Sequence, residues 1–205
     1  MQRYEIATLT TTLGAAAKAA PAIVDFAAGP DAKGQLLGLW ATDIGPLNQV
    51  IVLRGFDEAA DLQQERERTL RSANPFGAAP WLVGLSLDSY APFPFMPPVA
   101  SGTFGPIYEI RTYVLKHGGV EPTIAAWEAA MPRRSAYSPL LAAFYSLDGP
   151  PRITHIWPYA DLAQRTEART RSVVEGAWPP KGGPDWLTSD MQSAIALPLA
   201  DSALR

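Results

Sequence analysis

Along residues 107–115 apolar and polar positions alternate: Ile110, Thr112 and Val114 fall on one side, Glu109, Arg111 and Tyr113 on the other. That period of two predicts a β-strand with unlike faces. Helical spacing follows, because Ile124, Trp127 and Met131 recur every three or four residues behind Pro122, which suits a first turn. Pro132 is expected to end that run. Residues 140–147 and 152–157 read as two more strands, joined through the turn Asp148-Gly149-Pro150-Pro151. Asp161 opens a second helix with Gln164 as its capping-box partner, and Leu162, Thr166, Arg169 and Val173 line one face. The Pro- and Gly-rich run 178–184 breaks it, and a short last strand is expected at about 192–197. The first half repeats this order, with strands at 4–11, 35–41, 49–56 and 83–90 and helices at 15–28 and 57–71. Pro21 should kink or shorten the first of those helices.

The two halves also share residues at a fixed interval. Tyr4-Glu5-Ile6 recurs as Tyr108-Glu109-Ile110, Leu36-Leu37 as Leu140-Leu141 and Gly45-Pro46 as Gly149-Pro150, each 104 positions on. A period that long marks a duplicated domain, and related units can pack about an approximate twofold axis. Residues 91–106 carry proline and glycine too densely for helix or central strand and read as a connector, with Phe93, Phe95 and Met96 docked on a domain surface. The expected units are therefore 1–98 and 99–205.

The order β-α-β-β-α-β is the ferredoxin-like arrangement, an α+β fold whose single antiparallel sheet carries both helices on one face and leaves the other bare. Facing two such sheets together predicts a pseudo-dimeric α/β barrel, helices outside and a lined cavity inside. If the repeats satisfy each other the chain can stand alone; if each seeks a partner from another chain, a homo-oligomer forms.

Composition narrows the partners. With 205 residues, 47% of them hydrophobic, each half can own a core. A net charge of −3 gives no electrostatic footprint for nucleic acid. Cysteine is absent, which removes disulfides and thiolate chemistry. No stretch reaches the length of a membrane span and no apolar signal core follows Met1, so a cytoplasmic location is expected.

The second half keeps Arg111 and Tyr113 where the first has Ala7 and Leu9, and His155 and Trp157 where it has Val52 and Arg54. One asymmetric pocket is therefore expected in the barrel interior, on the second copy's sheet, with Arg54 and Trp40 contributed by the first. His155 could act there as a general base or an axial haem ligand; the plainer reading is a core histidine satisfied by a carboxylate such as Glu109. Glu109 and Arg111 could orient an anion or simply neutralise each other. Tyr113, Tyr145 and Trp157 could stack on a planar ligand or serve as packing. Arg165, Glu167 and Arg169 read as a solvated or interface face. Arg133-Arg134 either complements a helix C-terminus or clamps an anion at the cavity mouth. No metal site is expected, because the only other histidine is His117.

Several short elements occur in one order: Tyr108-Glu109-Ile110-Arg111-Thr112-Tyr113, then Gly149-Pro150, then His155-Ile156-Trp157-Pro158-Tyr159-Ala160-Asp161-Leu162 ahead of Arg165 and Arg169. This series resembles the NIPSNAP family, and Tyr4-Glu5-Ile6, Gly45-Pro46-Leu47-Asn48 and Phe56-Asp57-Glu58 resemble it more loosely. The resemblance implies a dimeric α/β barrel fold and carries no catalytic residue set. The function expected is binding of a small hydrophobic or planar ligand inside the barrel. The alternatives are a non-enzymatic interaction or scaffold module and a cofactor-independent monooxygenase or isomerase. No cofactor is expected, haem being the one alternative. A cavity of roughly 300 Å3 or more against His155 would favour ligand binding, and a filled barrel with an exposed apolar patch would favour the interaction module.

Overall fold

Each half of the chain lays down the same succession of elements in the computed structural model, which describes residues 1–205. The first half gives β1 (Arg3–Thr11), α1 (Ala16–Ala28), β2 (Gln35–Ile44), β3 (Gln49–Phe56), α2 (Ala59–Arg71) and β4 (Leu82–Pro92). The second gives β5 (Ile107–Leu115), α3 (Val120–Arg134), β6 (Ala142–Ser146), β7 (Arg152–Tyr159), α4 (Leu162–Val174) and β8 (Leu187–Pro198). The strands close into one barrel in the order β1-β3-β2-β8-β5-β7-β6-β4, every neighbouring pair antiparallel. Within each half the order is that of the ferredoxin-like sheet. Two seams join the halves, β2 to β8 at Trp40–Ile44 and β4 to β6 at Tyr90–Pro92. Closure uses strands of one chain, so no second copy is needed to bury the inner sheet faces.

Alternation along the strands creates three cores. Tyr4, Ile6, Ile51, Leu53, Tyr108, Ile110, Phe144 and Ile156 point inward and meet inside the barrel. Ala7, Leu9, Val50 and Val52 point outward under α1, and Ile153 and Trp157 do so under α3. The connector lies on the second outer core: Phe93 is buried edge-on against Trp127, ring centroids 5.7 Å apart.

Three local expectations change. Pro132 does not end α3, which runs two residues further, and Pro21 sits inside an unbroken α1. Each proline deletes a single helical donor. Pro132 does so in the last turn of α3, where the ladder is already thinning, and Pro21 does so in mid-helix, where burial of Ala19, Ala20, Ile23 and Ala27 against the sheet holds α1 together. β8 begins at Leu187 rather than near Gln192. Its exposed start has no apolar alternation and is a strand because β5 pairs with it down to Leu115. At α4 the expected cap forms, Asp161 Oδ1 accepting from the Gln164 N–H at 2.7 Å, while the return bond of the box is displaced by one residue, Gln164 Oε1 accepting from the Ala160 N–H at 2.6 Å.

Candidate functional site

One half of the barrel is packed and the other is open. At the packed end Tyr4 meets Phe144 with ring centroids 4.6 Å apart, and Trp40 meets Tyr108 at 5.3 Å. Val99 of the connector and Leu204 complete that plug, and the Val99 N–H donates to Tyr4 Oη at 3.0 Å. Burial alone pushes the Tyr108 phenol up to about 12. The opposite half encloses a cavity of about 460 Å3 whose mouth is bordered by Pro46 and Pro150, in the two hairpin turns, and by Asp190 of β8. Ile6, Ile51 and Ile110 belong both to the inner core and to the cavity wall and form its floor.

The cavity walls carry an ordered polar network. Arg152 of β7 donates to Asp88 Oδ1 at 2.7 Å and to Asp148 Oδ1 at 3.1 Å, with its guanidinium carbon 5.5 Å from the Tyr90 ring centroid. Thr154 donates its hydroxyl hydrogen to Tyr90 Oη at 2.9 Å, and the Thr112 and Thr154 hydroxyls lie 2.8 Å apart. A hydroxyl has one hydrogen to give. Thr154 has spent its hydrogen on Tyr90, so Thr112 donates to Thr154, and the Tyr90 hydrogen is left over. Burial raises the Tyr90 pKa against the opposing Thr154 hydrogen bond and Arg152 charge, so the phenol stays neutral and keeps that hydrogen. Donors in series polarise one another, which makes the terminal O–H a better donor than an isolated phenol.

The residues singled out from sequence lie outside the barrel, Trp40 excepted. Trp40 is inside the barrel but in its packed half. Glu109, Arg111, Tyr113, Tyr145, His155 and Trp157 point outward, into the layer between the second sheet and helices α3 and α4, and Arg54 does so in the first half. The expected cavity exists, but it does not touch His155. Polar alternation on β5 had suggested a polar barrel lining; in fact the polar face of that strand meets the charged side of α4.

In that outer layer His155 is enclosed by Trp127 at 4.8 Å, Tyr113 at 5.0 Å and Trp157 at 6.1 Å between ring centroids. Its Nδ1 accepts the Trp157 indole N–H at 2.7 Å, so its neutral form carries the hydrogen on Nε2, which is buried without a partner. The satisfying partner is thus an indole, not the carboxylate of Glu109. Burial, then the positive charge of Arg111, pushes its pKa down to about 3. The surrounding rings leave this imidazole no open face for a macrocycle, so the residues do not fit an axial haem ligand.

Glu109 is fully buried and takes hydrogen bonds from Arg111 Nη1 at 2.6 Å, from Arg165 Nη2 and from Ser193 Oγ at 3.2 Å. Arg165 and Arg169 therefore reach back from α4 to the sheet rather than forming a solvated face. Burial works to raise the Glu109 carboxyl, but the Arg165 hydrogen bond and the Arg111 and Arg169 charges outweigh it and hold it at about 2. Arg54 is completely buried between Glu5, at 2.6 Å, and Glu65 of α2, also at 2.6 Å.

Sequence reasoning missed Asp88, Tyr90, Arg152 and Thr154. The available signal was the inward register: once Ile110 and Thr112 are taken as the barrel side of β5, pairing places Thr154 opposite Thr112.

A family model described as NIPSNAP matches residues 4–75 and 108–203. The NipSnap homologue of Dictyostelium discoideum is 28% identical over 145 residues, covering 69% of this chain and 65% of that protein. The Drosophila melanogaster NipSnap protein is 28% identical over 162 residues, covering 70% of this chain and 53% of its own length. The chain thus spans between about half and two thirds of these curated relatives. Among solved structures, an anthrone oxidase-like protein superposes with a TM-score of 0.68 over 97% of this chain and 91% of its own, at 10% identity. At that identity the likeness shows the fold alone, a dimeric α/β barrel.

Proposed function

The chain belongs to the NIPSNAP family, and from that premise we propose that it binds a small planar molecule bearing a carbonyl or hydroxyl oxygen in the open half of its barrel. The observation that carries this reading is the Thr112–Thr154–Tyr90 series, which ends in one unspent, polarised O–H on the cavity wall. The supporting features are complementary. A volume of about 460 Å3 suits a small ligand. The isoleucine floor offers an apolar seat for a ring, and the Arg152–Asp88 pair supplies a second polar contact. The same Tyr90 hydroxyl, facing a developing enolate oxygen, would also serve an isomerase or an oxygenase that works without a cofactor. Turnover of the bound molecule separates catalysis from binding.

The test is a panel of planar aromatic ketones and phenols, followed by thermal shift and tryptophan fluorescence. Tyr90→Phe removes one hydrogen bond and is expected to weaken the best ligand by up to about tenfold. Thr8→Trp places an indole in the cavity and is expected to abolish binding. Undiminished binding to Thr8→Trp would overturn the proposal.

A further inference from the structure

Outside the barrel, the second half gathers positive charge that the first half does not. Arg111, Arg165 and Arg169 all converge on Glu109. Arg134, at the end of α3, lies within electrostatic reach of Arg169 and Glu109. Arg134 is 2% exposed. It donates to Ser138 Oγ at 2.8 Å and lies beside the Tyr159 hydroxyl, its Nε buried with no acceptor in good hydrogen-bond geometry. The guanidinium lies over Trp157 at 4.2 Å and Trp178 at 5.7 Å, contacts that offset its desolvation without neutralising it. Three guanidinium groups therefore share one carboxylate, and a fourth lies near them without pairing to it.

The duplicated half supplies an internal control. Its counterpart of Glu109 is Glu5, 104 positions earlier. There Arg54 lies between Glu5 and Glu65, and Arg68 pairs with Glu65, so two cations meet two carboxylates. Counted by ion pairs, a layer built on the same sheet and helices is balanced in one copy and carries a surplus of two positive charges in the other, with the unpaired Arg134 beside them. The fold does not require that surplus. Like charges crowded beside a buried, unpaired guanidinium are unfavourable unless an anion joins them.

We propose that this arginine cluster is a binding site for a doubly charged oxyanion, a phosphate group that is either the free ion or the monoester end of a small molecule. Arg169 is the arm that turns to meet it. Its side chain is 39% exposed and holds Glu109 only at 3.5 Å, the loosest of the three contacts. Arg165, 25% exposed and with its Nε unpartnered, stands beside it on the next turn of α4. Planar guanidinium groups match phosphate oxygens in pairs, which selects phosphate over a halide of equal ionic strength. Trp157 and Trp178, stacked against Arg134, report occupancy through their fluorescence.

The experiment uses the full chain at low ionic strength, titrated with inorganic phosphate, with phenyl phosphate and with chloride at matched ionic strength. Thermal stability and tryptophan emission are both read. Saturable changes with phosphate that chloride does not reproduce are expected. Tighter binding of phenyl phosphate identifies the ester as the ligand, and equal binding identifies the free ion. Arg169→Gln and Arg134→Met are each expected to weaken binding at least tenfold. Thr8→Trp, which blocks only the barrel cavity, should leave it unchanged, so this site and the cavity fail or succeed separately. If Arg134→Met does not fold, the partly exposed Arg169→Gln carries the test. A phosphate response no larger than that to chloride, or full affinity in Arg169→Gln, would overturn the proposal.

Discussion

Acid should destabilise this protein through His155 before it reaches any carboxylate. The native imidazole is buried against Trp127, Tyr113 and Trp157, and its Nδ1 lone pair is occupied by the Trp157 indole N–H. Protonation would break that bond and add a cation beside Arg111, Arg169 and Arg134, with only Glu109 opposing. The folded pKa is therefore about 3, against 6.5 for the free side chain. Between those values the unfolded chain holds a proton that the folded chain lacks, so stability falls as pH falls. Above 6.5 the group contributes no slope. The loss is about 1.4 kcal/mol per pH unit, or about 3 kcal/mol by pH 4.5, a large share of the total stability of a typical domain. Urea unfolding followed by circular dichroism at pH 7.5, 6.5, 5.5 and 4.5 measures it. His155→Gln, whose amide oxygen can still accept from Trp157, should flatten the slope between pH 6.5 and 4.5 whatever its own stability. The exposed His117 is common to both proteins. A wild-type curve flat over that range, or an equal slope in the variant, would refute the assignment.

Other expectations follow from the buried charges and the barrel plug. The folded pKa of Glu109 is about 2 against a free value of 4.5. Its stabilisation is thus complete above 4.5 and is lost as pH falls from 4.5 towards 2, and Glu109→Gln should remove that component from an acid titration. Arg54→Met strands the buried carboxylate of Glu5, while Arg68 still holds Glu65, and should cost roughly 3–5 kcal/mol in chemical denaturation. An unchanged midpoint would show that the pair is not closed off from water. Gly38→Ala puts a methyl group 1.9 Å from the fully buried Trp40 ring, which lies directly over the glycine. Overpacking there should lower stability by about 1–3 kcal/mol, read as a shift in melting temperature.

Fold and candidate site differ in how much of them could be read along the chain. The period-two pattern of β5 and the helical spacing of Ile124, Trp127 and Met131 were legible because each element buries one of its own faces. The start of β8 was not, since it becomes strand only through the pairing of Met191 with Tyr113 and of Leu187 with Leu115, the residues between them bulging from the register. The site misled for a related reason. Glu109, Arg111 and His155 looked like cavity residues because polar side chains inside a protein suggest function. They are covered instead by Arg165, Arg169 and Trp127, which arrive from helices far along the sequence. The cavity's own working groups, Tyr90 and Thr154, sit in mainly apolar strand patterns and gain their meaning only from each other.

The sequence by itself determined that this is one fold written twice, because a 104-residue interval and the alternation within each unit are properties of the chain alone. It also fixed that each sheet needs cover on both faces. Only the tertiary structure decided which face of each strand became the barrel interior, where the cavity opens, and that three arginines meet a single carboxylate outside it. Those outcomes depend on which distant side chains arrive opposite one another, and local periodicity carries no information about that.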